Sequence, residues 1–234
     1  MAKKQYAMTS DELCQKVADI SGGKDVILNF SMGKESIACY YQLKKYFKNV
    51  HLIYKFVVPD LSFINQGLLY FEAKFGQKIH VMPNIGFYKM INGNVFQTPE
   101  HLEIIHRIGL PNHNYNDYEV LCREDLGLRK DTFIAMGVRA SDSPTRAMVV
   151  NTYGPVSKRN TFYPIFDWSY EDLRKCLNAN NIKLPVDYEM FGKSFDGLDY
   201  RFIKPIKERY PEDYEKIKFY FPLIDLEILR YDNI

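Results

Sequence analysis

"VILNFSMGKES", residues 26–36, joins a short apolar run to a turn that opens a helical pattern. A nearly continuous apolar run such as "VILNF" is typical of a strand that is buried on both faces of a parallel sheet. "SMGKES" lies where that strand gives way to a helix, so backbone N–H groups converge there beside the positive end of the helix. The stretch therefore predicts an anion-binding turn at the carboxyl end of the first strand.

A second glycine-containing turn, "SGGKD" at 21–25, precedes the same strand. It follows a helix that the apolar spacing predicts at 10–20, so its glycines are predicted to end that helix and form a turn. Within "SMGKES", Gly33 permits close approach of the backbone, Lys34 can reach a phosphate, and two serines supply hydroxyls. An ordinary strand-to-helix turn with a serine cap is the alternative interpretation of "SMGKES".

Strand-like and helix-like segments alternate outward from this stretch. Strands are predicted at 26–30, 50–58, 78–83, 132–138 and within 160–168, and helices at 10–20, 37–47, 62–76 and 169–181, with helical pieces between 84 and 125. This order is typical of βαβ units that form a parallel sheet with right-handed crossovers. We expect one α/β domain over 1–184 and a helical C-terminal extension over 185–234 that packs on it.

Composition excludes several classes of protein. The 234 residues carry a net charge of +2, which favours neither nucleic acid nor an acidic membrane as a partner. No apolar run approaches the ~18 residues of a membrane span, and we expect a cytoplasmic protein. The four cysteines form no CxxC pair and the five histidines show no metal spacing, so neither a zinc site nor an iron–sulfur cluster is expected.

Four segments in the same order resemble one family. "FSMGKESIA" is similar to the pyrophosphate-binding loop, usually SGGxDS, of the ATP pyrophosphatase and adenine nucleotide α-hydrolase-like superfamily. "VVPDLSFINQGLLYFEAKFG" places Asp60 where the PAPS reductase family has DTGxxFxE. "GVRASDSPTRA" at 137–147 and "YPIFDWSYEDL" at 163–173 look like two further elements of that family. The chain is therefore identified as PAPS reductase-like.

The resemblance implies a Rossmann-like or flavodoxin-like parallel sheet with helices on both faces. It implies nucleotide binding by the first loop and by an arginine pair that follows a later strand, and it gives Lys34 and the two arginines catalytic roles. The residues carried over are Ser31, Met32, Gly33, Lys34, Glu35 and Ser36 in the loop, Asp60, and Arg139 and Arg146. The implied ligand is ATP or an adenosine phosphosulfate, and Glu35 and Asp60 are the candidate ligands for Mg²⁺.

The chain also departs from the family pattern. Glu35 replaces the usual loop aspartate, and Met32 replaces a glycine, so a left-handed backbone there would be strained. The tail resembles PAPS reductase-like proteins of phages and mobile elements, but no cysteine follows Cys176, whereas the reductases carry a nucleophilic cysteine in the tail. Cys176 is expected to be buried in a helix, which leaves Cys122 as the one substitute thiol.

Three functions remain open from the sequence. The first is an enzyme that binds an adenine nucleotide, cleaves its α–β bond and adenylates an acceptor. The second is a sulfonucleotide reductase that uses non-standard thiols, and the third is a non-catalytic module that senses nucleotides for regulation or anti-defence. The sequence does not name the acceptor, and it leaves a homo-oligomer open.

Overall fold

The computed structural model describes residues 6–232. The strands are β1 Asp25–Asn29, β2 Asn49–Phe56, β3 Ile79–Pro83, β4 Ile134–Ala135 and β5 Thr161–Phe162. The helices are α1 Ser10–Ser21, α2 Lys34–Leu43, α3 Ser62–Phe75, α4 Ile85–Asn92, α5 Pro99–Ile108, α6 Tyr115–Asp125, α7 Pro144–Tyr153, α8 Tyr170–Ala179, α9 Val186–Phe191, α10 Tyr200–Arg209, α11 Pro211–Tyr220 and α12 Asp225–Asp232.

The strands form one sheet in the order β3-β2-β1-β4-β5. β1 is central: its Ile27 is aligned with His51 of β2 on one side and with Ile134 of β4 on the other, both in parallel. Val26 and Leu28 are fully buried, as expected for a strand covered on both faces. The predicted α/β Rossmann-like fold with a parallel sheet is confirmed.

The described chain divides into two compact units. The first contains the residues up to Tyr54 together with Lys78–His80 and Glu119–Leu184. The second contains Lys55–Gln77, Val81–Tyr118 and the described residues from Pro185 onward. The predicted boundary at residue 184 separates the last segment of the first unit from the C-terminal segment of the second.

Side-chain caps fix the start of two helices of the first unit. Ser169 and Asp172 form the reciprocal capping box that the sequence predicted for α8. Asp167, from the "YPIFDW" segment, accepts hydrogen bonds from the backbone N–H and the hydroxyl of Ser10 at the start of α1. Asp167 therefore ties the N-terminal helix to the segment that precedes α8.

The second unit is built around aromatic rings. Phe195 and Phe202 lie edge to face with centroids 5.4 Å apart, and Phe63 lies 5.7 Å from Phe195. Phe191 contacts Phe202 at 4.9 Å. Such pairs add about 0.5–1.5 kcal/mol each beyond the burial of their surface. They hold the C-terminal helices α9 and α10 against α3 within this unit.

Two of the predicted boundaries were wrong, and one helix was not predicted. β4 covers only Ile134–Ala135 instead of 132–138, because the chain turns at once and the N–H of Val138 donates to the carbonyl of Met136. α2 begins three residues before the predicted position 37, directly at Lys34. α7 was not predicted, although Ser143 as cap followed by Pro144 is a helix-start signal.

None of the helices within residues 6–232 is both long enough and apolar enough to cross a membrane.

Candidate functional site

The loop between β1 and α2 has the position that the sequence predicted. It follows the carboxyl end of the central strand, and Gly33 is the N-cap of α2 without any side-chain hydrogen bond to the helix N–H groups. The first N–H groups of a helix need partners from outside the helix. The loop can therefore offer backbone donors and the positive end of α2 to an anion.

Met32 adopts the left-handed backbone for which the family pattern has glycine. Its φ is 57°, and its side chain is fully buried. A left-handed conformation costs a non-glycine residue about 1–2 kcal/mol. The buried side chain offsets this cost, since burying a methionine contributes about 1.5–3 kcal/mol. The expected strain at Met32 is therefore present and compensated by packing.

The two loop serines are bonded to the loop itself. The hydroxyl of Ser36, which is buried, donates to the carbonyl of Gly33 at 2.9 Å. The hydroxyl of Ser31 lies 3.3 Å from that of Ser36 and accepts from the N–H of Gly33 at 3.3 Å. Ser36 thus stabilises the first turn of α2, while Ser31 is exposed at the mouth of the loop.

Gly137 lies against the same turn of α2. A Cβ atom at Gly137 would lie 3.0 Å from the backbone nitrogen of Ser36 and 3.1 Å from the carbonyl carbon and Cβ of Glu35. Two of these are backbone atoms and the third is a Cβ, and none of them can move aside as the end of a flexible side chain can. The absence of a side chain at Gly137 therefore allows the segment after β4 to touch the loop.

We expect Gly137→Ala to destabilise the protein by about 1–3 kcal/mol, the range for overpacked positions. The matched control is Gly197→Ala, where the nearest atoms to the added Cβ lie at 3.7 Å and 3.8 Å, an ordinary contact distance. Urea unfolding of both variants provides the comparison. Equal free energies of unfolding for the two variants would contradict the close approach.

Lys34 is the first residue of α2, and its ammonium group lies 5.7 Å from the centre of the Tyr170 ring. Tyr170 begins α8 and is 64% exposed, so this cation–π contact contributes only about 0.5–1 kcal/mol. Tyr170 was not predicted from the sequence as a neighbour of the loop.

Arg139 is the most buried cation among the predicted site residues, with 9% of its side chain exposed. Its Nη2 contacts two carboxylates, Asp142 Oδ1 at 2.6 Å and Glu35 Oε1 at 3.4 Å. Its Nε and Nη1 are shielded from solvent and have no hydrogen-bond partner among residues 6–232. Buried N–H groups of a guanidinium require acceptors, so this arrangement is incomplete without a water molecule or a ligand oxygen.

Asp142 links the two arginines that the sequence predicted as an anion-binding pair. It accepts from the backbone N–H of Arg139 at 3.1 Å and from Nη1 of Arg146 at 2.6 Å. Arg146 is half exposed, so its charge is screened more strongly than that of Arg139. The structure thus brings Arg139, Arg146 and Glu35 together, with Asp142 as an anchor that the sequence analysis missed.

Asn29 is another residue of interest that the sequence analysis missed. It ends β1, and its side-chain oxygen is buried with no hydrogen-bond partner in the described part of the chain. A polar residue at the end of an apolar strand, directly before the loop, was the signal that could have found it.

Asp60 belongs to the second unit. It is exposed and adopts a left-handed backbone with φ of 58°, and its carbonyl accepts from the ammonium group of Lys216 at 2.7 Å. The role of Asp60 in binding a nucleotide or Mg²⁺ stays a prediction.

The donor set allows a limited test of the predicted Mg²⁺. In the described range no three His, Cys, Asp or Glu side chains are grouped so that they could hold a metal ion. Mg²⁺ nevertheless keeps several waters and is commonly held by one or two carboxylates together with substrate phosphates. Glu35 fits as the one carboxylate that holds Mg²⁺ together with substrate phosphates, provided that it has first left Arg139. It cannot bind both at once, because the positive charges of the guanidinium and of Mg²⁺ repel each other.

The cysteines lack the features of nucleophilic thiols. Burial raises the pKa of Cys14 to about 12, and it raises the pKa of Cys39 well above the usual range. Cys122, the predicted substitute, is fully buried. Cys176 was expected to be buried but is only half-buried, and burial still raises its thiol pKa. A reactive cysteine needs a lowered pKa and access to its substrate.

"SGGKD" has the structural role that the sequence predicted. Gly22 ends α1 in a left-handed conformation, and the N–H of Gly23 donates to the carbonyl of Ala18. A cavity of about 460 Å³ lies beside it at the amino-terminal edge of the sheet, away from the Ser31–Ser36 loop. Its charged side chains include Arg129 and Asp131, which pair with each other at 2.6 Å.

A central parallel strand, a helix that begins at Gly33 and a buried arginine after β4 are thus combined in one α/β fold. The phosphoadenosine phosphosulfate reductase domain matches residues 25–195, which is most of the chain. The chain therefore belongs to the phosphoadenosine phosphosulfate reductase domain family. A comparison with curated protein sequences gave no match.

Distant similarities to solved structures accompany this result. The U34-tRNA thiolase NcsA of Methanococcus maripaludis, solved with its 4Fe–4S cluster, has a TM-score of 0.47 and 15% identity, over 92% of this chain and 78% of its own. The NH3-dependent NAD synthetase of Campylobacter jejuni, solved with a nitrate ion, has a TM-score of 0.41 and 13% identity. The match covers 94% of this chain and 92% of the synthetase. A predicted tRNA methyltransferase subunit of Methanocaldococcus jannaschii has a TM-score of 0.38 and 20% identity. The match covers 82% of this chain and 92% of that subunit.

Proposed function

We propose that the protein binds an adenine nucleotide with its phosphates on the Ser31–Ser36 loop, cleaves the α–β bond and adenylates an acceptor. The observation that carries the proposal is the buried guanidinium of Arg139 beside the loop, two of whose nitrogens have no hydrogen-bond partner among residues 6–232. A buried cation of this kind attracts oxyanions far more strongly than an exposed one, since the protein interior screens charge weakly.

The proposed roles follow from charge and position. Lys34 and the N-terminus of α2 hold the β- and γ-phosphates, and Arg139 binds an oxygen that gains charge as the bond breaks. The acceptor oxygen or nitrogen attacks the α-phosphorus and loses its proton to water. The α–β bridging bond breaks at the same centre, and pyrophosphate leaves with the bonding pair. Mg²⁺ would offset the negative charge of the leaving pyrophosphate.

A second function is favoured by the name of the family. Phosphoadenosine phosphosulfate carries the same kind of anionic groups as ATP and suits the same cationic residues. Its reduction needs a thiolate, and every cysteine of the chain is buried or half-buried. We therefore assign any such reduction to thiols of a separate dithiol protein, which would be oxidised to a disulfide as sulfite leaves.

The proposal is tested by incubating the protein with ATP and Mg²⁺ and measuring pyrophosphate, together with the AMP that forms when water attacks the α-phosphorus in place of an acceptor. Lys34→Ala is expected to lower the rate at least about tenfold, the loss that follows from about 1.4 kcal/mol of transition-state stabilisation. Lys24→Ala is the matched control because it removes the same charge from "SGGKD", where the side chain is 74% exposed and lies near Asp25. The control is expected to keep the wild-type rate.

The other outcomes separate the remaining functions. Nucleotide binding without turnover would contradict the enzyme and favour the nucleotide-sensing module. Sulfite release from phosphoadenosine phosphosulfate with thioredoxin present, lost in Cys122→Ser, would favour the reductase with an internal thiol. Equal losses in Lys34→Ala and Lys24→Ala would overturn the choice of loop.

A further inference from the structure

Glu35 and Asp142 contact the same nitrogen of Arg139 but are held very differently. Asp142 Oδ1 lies 2.6 Å from Nη2 of Arg139, whereas Glu35 Oε1 lies at 3.4 Å. A charge-assisted N–H···O bond is normally about 2.7–2.9 Å long, so the Glu35 contact is weak. The guanidinium therefore has one firm carboxylate partner and one loose one.

The other contacts of the two carboxylates also show that Asp142 is held more firmly than Glu35. Asp142 also accepts from the backbone N–H of Arg139 and from Nη1 of Arg146, and its side chain is 13% exposed. The side chain of Glu35 is 24% exposed, and its longer chain allows it to swing into solvent. An anion that competes for Arg139 would displace Glu35 before Asp142, because Asp142 would lose three hydrogen bonds.

The backbone of Glu35 cannot follow its carboxylate. Gly137 lies so close to the carbonyl carbon and Cβ of Glu35 that an added Cβ would be 3.1 Å from each. The first turn of α2 is therefore closely packed, so the side-chain torsions of Glu35 change more readily than its backbone. A ligand oxygen can thus replace the Glu35 carboxylate at Arg139 when the Glu35 side chain alone turns away, without a movement of the loop.

We propose that Glu35 is an internal anion that occupies Arg139 in the unliganded protein and is displaced when a phosphate oxygen of the ligand binds there. This inference rests on the proposed function, since it concerns the same site. Glu35 stands where the family pattern has the shorter aspartate. It lowers the affinity for every phosphate ligand and favours those that carry enough charge to displace a carboxylate.

The displacement has a physical basis in charge and in access. The Nε and Nη1 groups of Arg139 are shielded from solvent, whereas Glu35 contacts Nη2, so the exchange between Glu35 and a ligand oxygen takes place at Nη2. Glu35 is the loosest of the groups bonded to Arg139. Pyrophosphate carries several negative charges and can make two parallel hydrogen bonds to a guanidinium, which a distant carboxylate oxygen cannot match.

The test is calorimetric titration of inorganic pyrophosphate into the full chain, in EDTA and without divalent cations. Glu35→Gln is expected to bind pyrophosphate about tenfold more tightly than the wild type. The substitution removes the carboxylate that competes for Arg139, and it also removes the repulsion between that carboxylate and the negative charge of pyrophosphate. Glu171→Gln is the matched control: it removes the same charge from the first turn of α8, where Glu171 pairs with Arg174. The control is expected to keep the wild-type affinity.

Glu35→Asp distinguishes displacement from a general effect of charge. It keeps the negative charge but shortens the side chain by one methylene, which weakens a contact that is already 3.4 Å long. We expect an affinity between those of the wild type and Glu35→Gln. If Glu35→Asp binds like the wild type while Glu35→Gln binds more tightly, the effect is general repulsion and the displacement is wrong.

The remaining outcomes separate this inference from the proposed function. If the wild type binds pyrophosphate and Glu35→Gln binds it equally or less tightly, the inference fails and the proposed function stands. If neither protein binds pyrophosphate, ATP or phosphoadenosine phosphosulfate, the proposed function fails and the inference fails with it. A melting curve of each variant without ligand confirms that the comparison is made between folded proteins.

Discussion

Arg139→Ala is expected to weaken ATP binding about 100-fold or more, which corresponds to about 2.7 kcal/mol. Truncating one partner of a buried, hydrogen-bonded charge pair costs a complex about 2–5 kcal/mol. Arg139 meets that description, since 9% of its side chain is exposed and its charge lies beside the loop proposed to hold the phosphates. Calorimetric titration of ATP with Mg²⁺ gives the affinity of each variant.

Two further variants show which property of Arg139 matters. Arg139→Lys keeps the charge but lacks the planar fork, so we expect it to recover only part of the lost affinity. Arg146→Ala removes the neighbouring charge, which is 48% exposed, and we expect it to lose less than about fivefold because exposed charges are screened. If Arg139→Ala and Arg146→Ala lose the same affinity, Arg139 is not the principal anion-binding residue.

The Arg139 variant also needs a stability control. Removing the Arg139 side chain leaves Asp142 with Arg146 as its one arginine partner instead of two, and the side chain of Asp142 is 13% exposed. The buried carboxylate would then lower the free energy of unfolding on its own account. The affinity must therefore be measured at a temperature where urea unfolding shows the variant to be folded. If the folded variant has lost ATP binding, the loss is caused by the missing guanidinium at the site and not by unfolding.

The position of the loop was predictable from the sequence because it depends on local order along the chain. A buried strand followed by a glycine and a helical pattern gives the carboxyl end of β1 and the start of α2 with no tertiary information. The same order excluded "SGGKD", and Gly22 does end α1 as expected. The parallel sheet followed from the alternation of segments, which is also a property of the order.

The partners of the site residues were not predictable in the same way. Arg139 contacts Glu35, which is 104 residues away in the chain, and no pattern in either segment indicates that contact. Asp142 was within reach of sequence reasoning, because it lies three residues after Arg139 and four before Arg146. β4 was predicted too long because an apolar run ends where burial ends, whereas a strand ends where its hydrogen bonds end.

The start of α3 depends on a side chain that is distant in the sequence. Leu61, the N-cap of α3, makes no side-chain hydrogen bond to the helix, so the helix supplies no cap of its own. Asp213 of α11 takes that place: its two oxygens accept from the backbone N–H of Ser62 at 2.9 Å and 2.7 Å. Its Oδ2 also accepts from the Ser62 hydroxyl at 2.7 Å and from the N–H of Phe63 at 3.3 Å.

Asp213→Ala is expected to lower the free energy of unfolding by about 3–5 kcal/mol, because it leaves several buried donors and Lys216 without their shared acceptor. Asp213 is fully buried, and Lys216 lies 3.0 Å from it. Glu212→Ala is the matched control: it removes the same charge from the same turn, but Glu212 is exposed. We expect the control to cost less than about 1 kcal/mol. Urea unfolding at neutral pH measures both.

The pH dependence identifies the carboxylate as the cause. Burial alone would raise the pKa of Asp213, but the hydrogen bonds from Ser62, Lys216 and Phe63 outweigh it and lower the pKa below its ordinary value. A lowered pKa means that the unfolded chain takes up the proton first, so the stabilisation is complete above about pH 4 and is lost as the pH falls through the folded pKa. The difference between wild type and Asp213→Ala should therefore shrink only below about pH 4. A difference that is constant down to pH 2 would mean that lost packing, and not the charge, destabilises the variant.

The same carboxylate holds the turn that carries Asp60. Lys216 donates both to Asp213 and to the carbonyl of Asp60, whose left-handed backbone costs about 1–2 kcal/mol. Asp213→Asn keeps the shape of the side chain but turns one acceptor into a donor against the N–H groups of Ser62 and Phe63. We expect it to lose most of the stability that Asp213→Ala loses, because the amide cannot accept from all of these donors. If Asp213→Asn unfolds like the wild type, the cap on α3 depends on shape alone, and the turn at Asp60 does not need the charge.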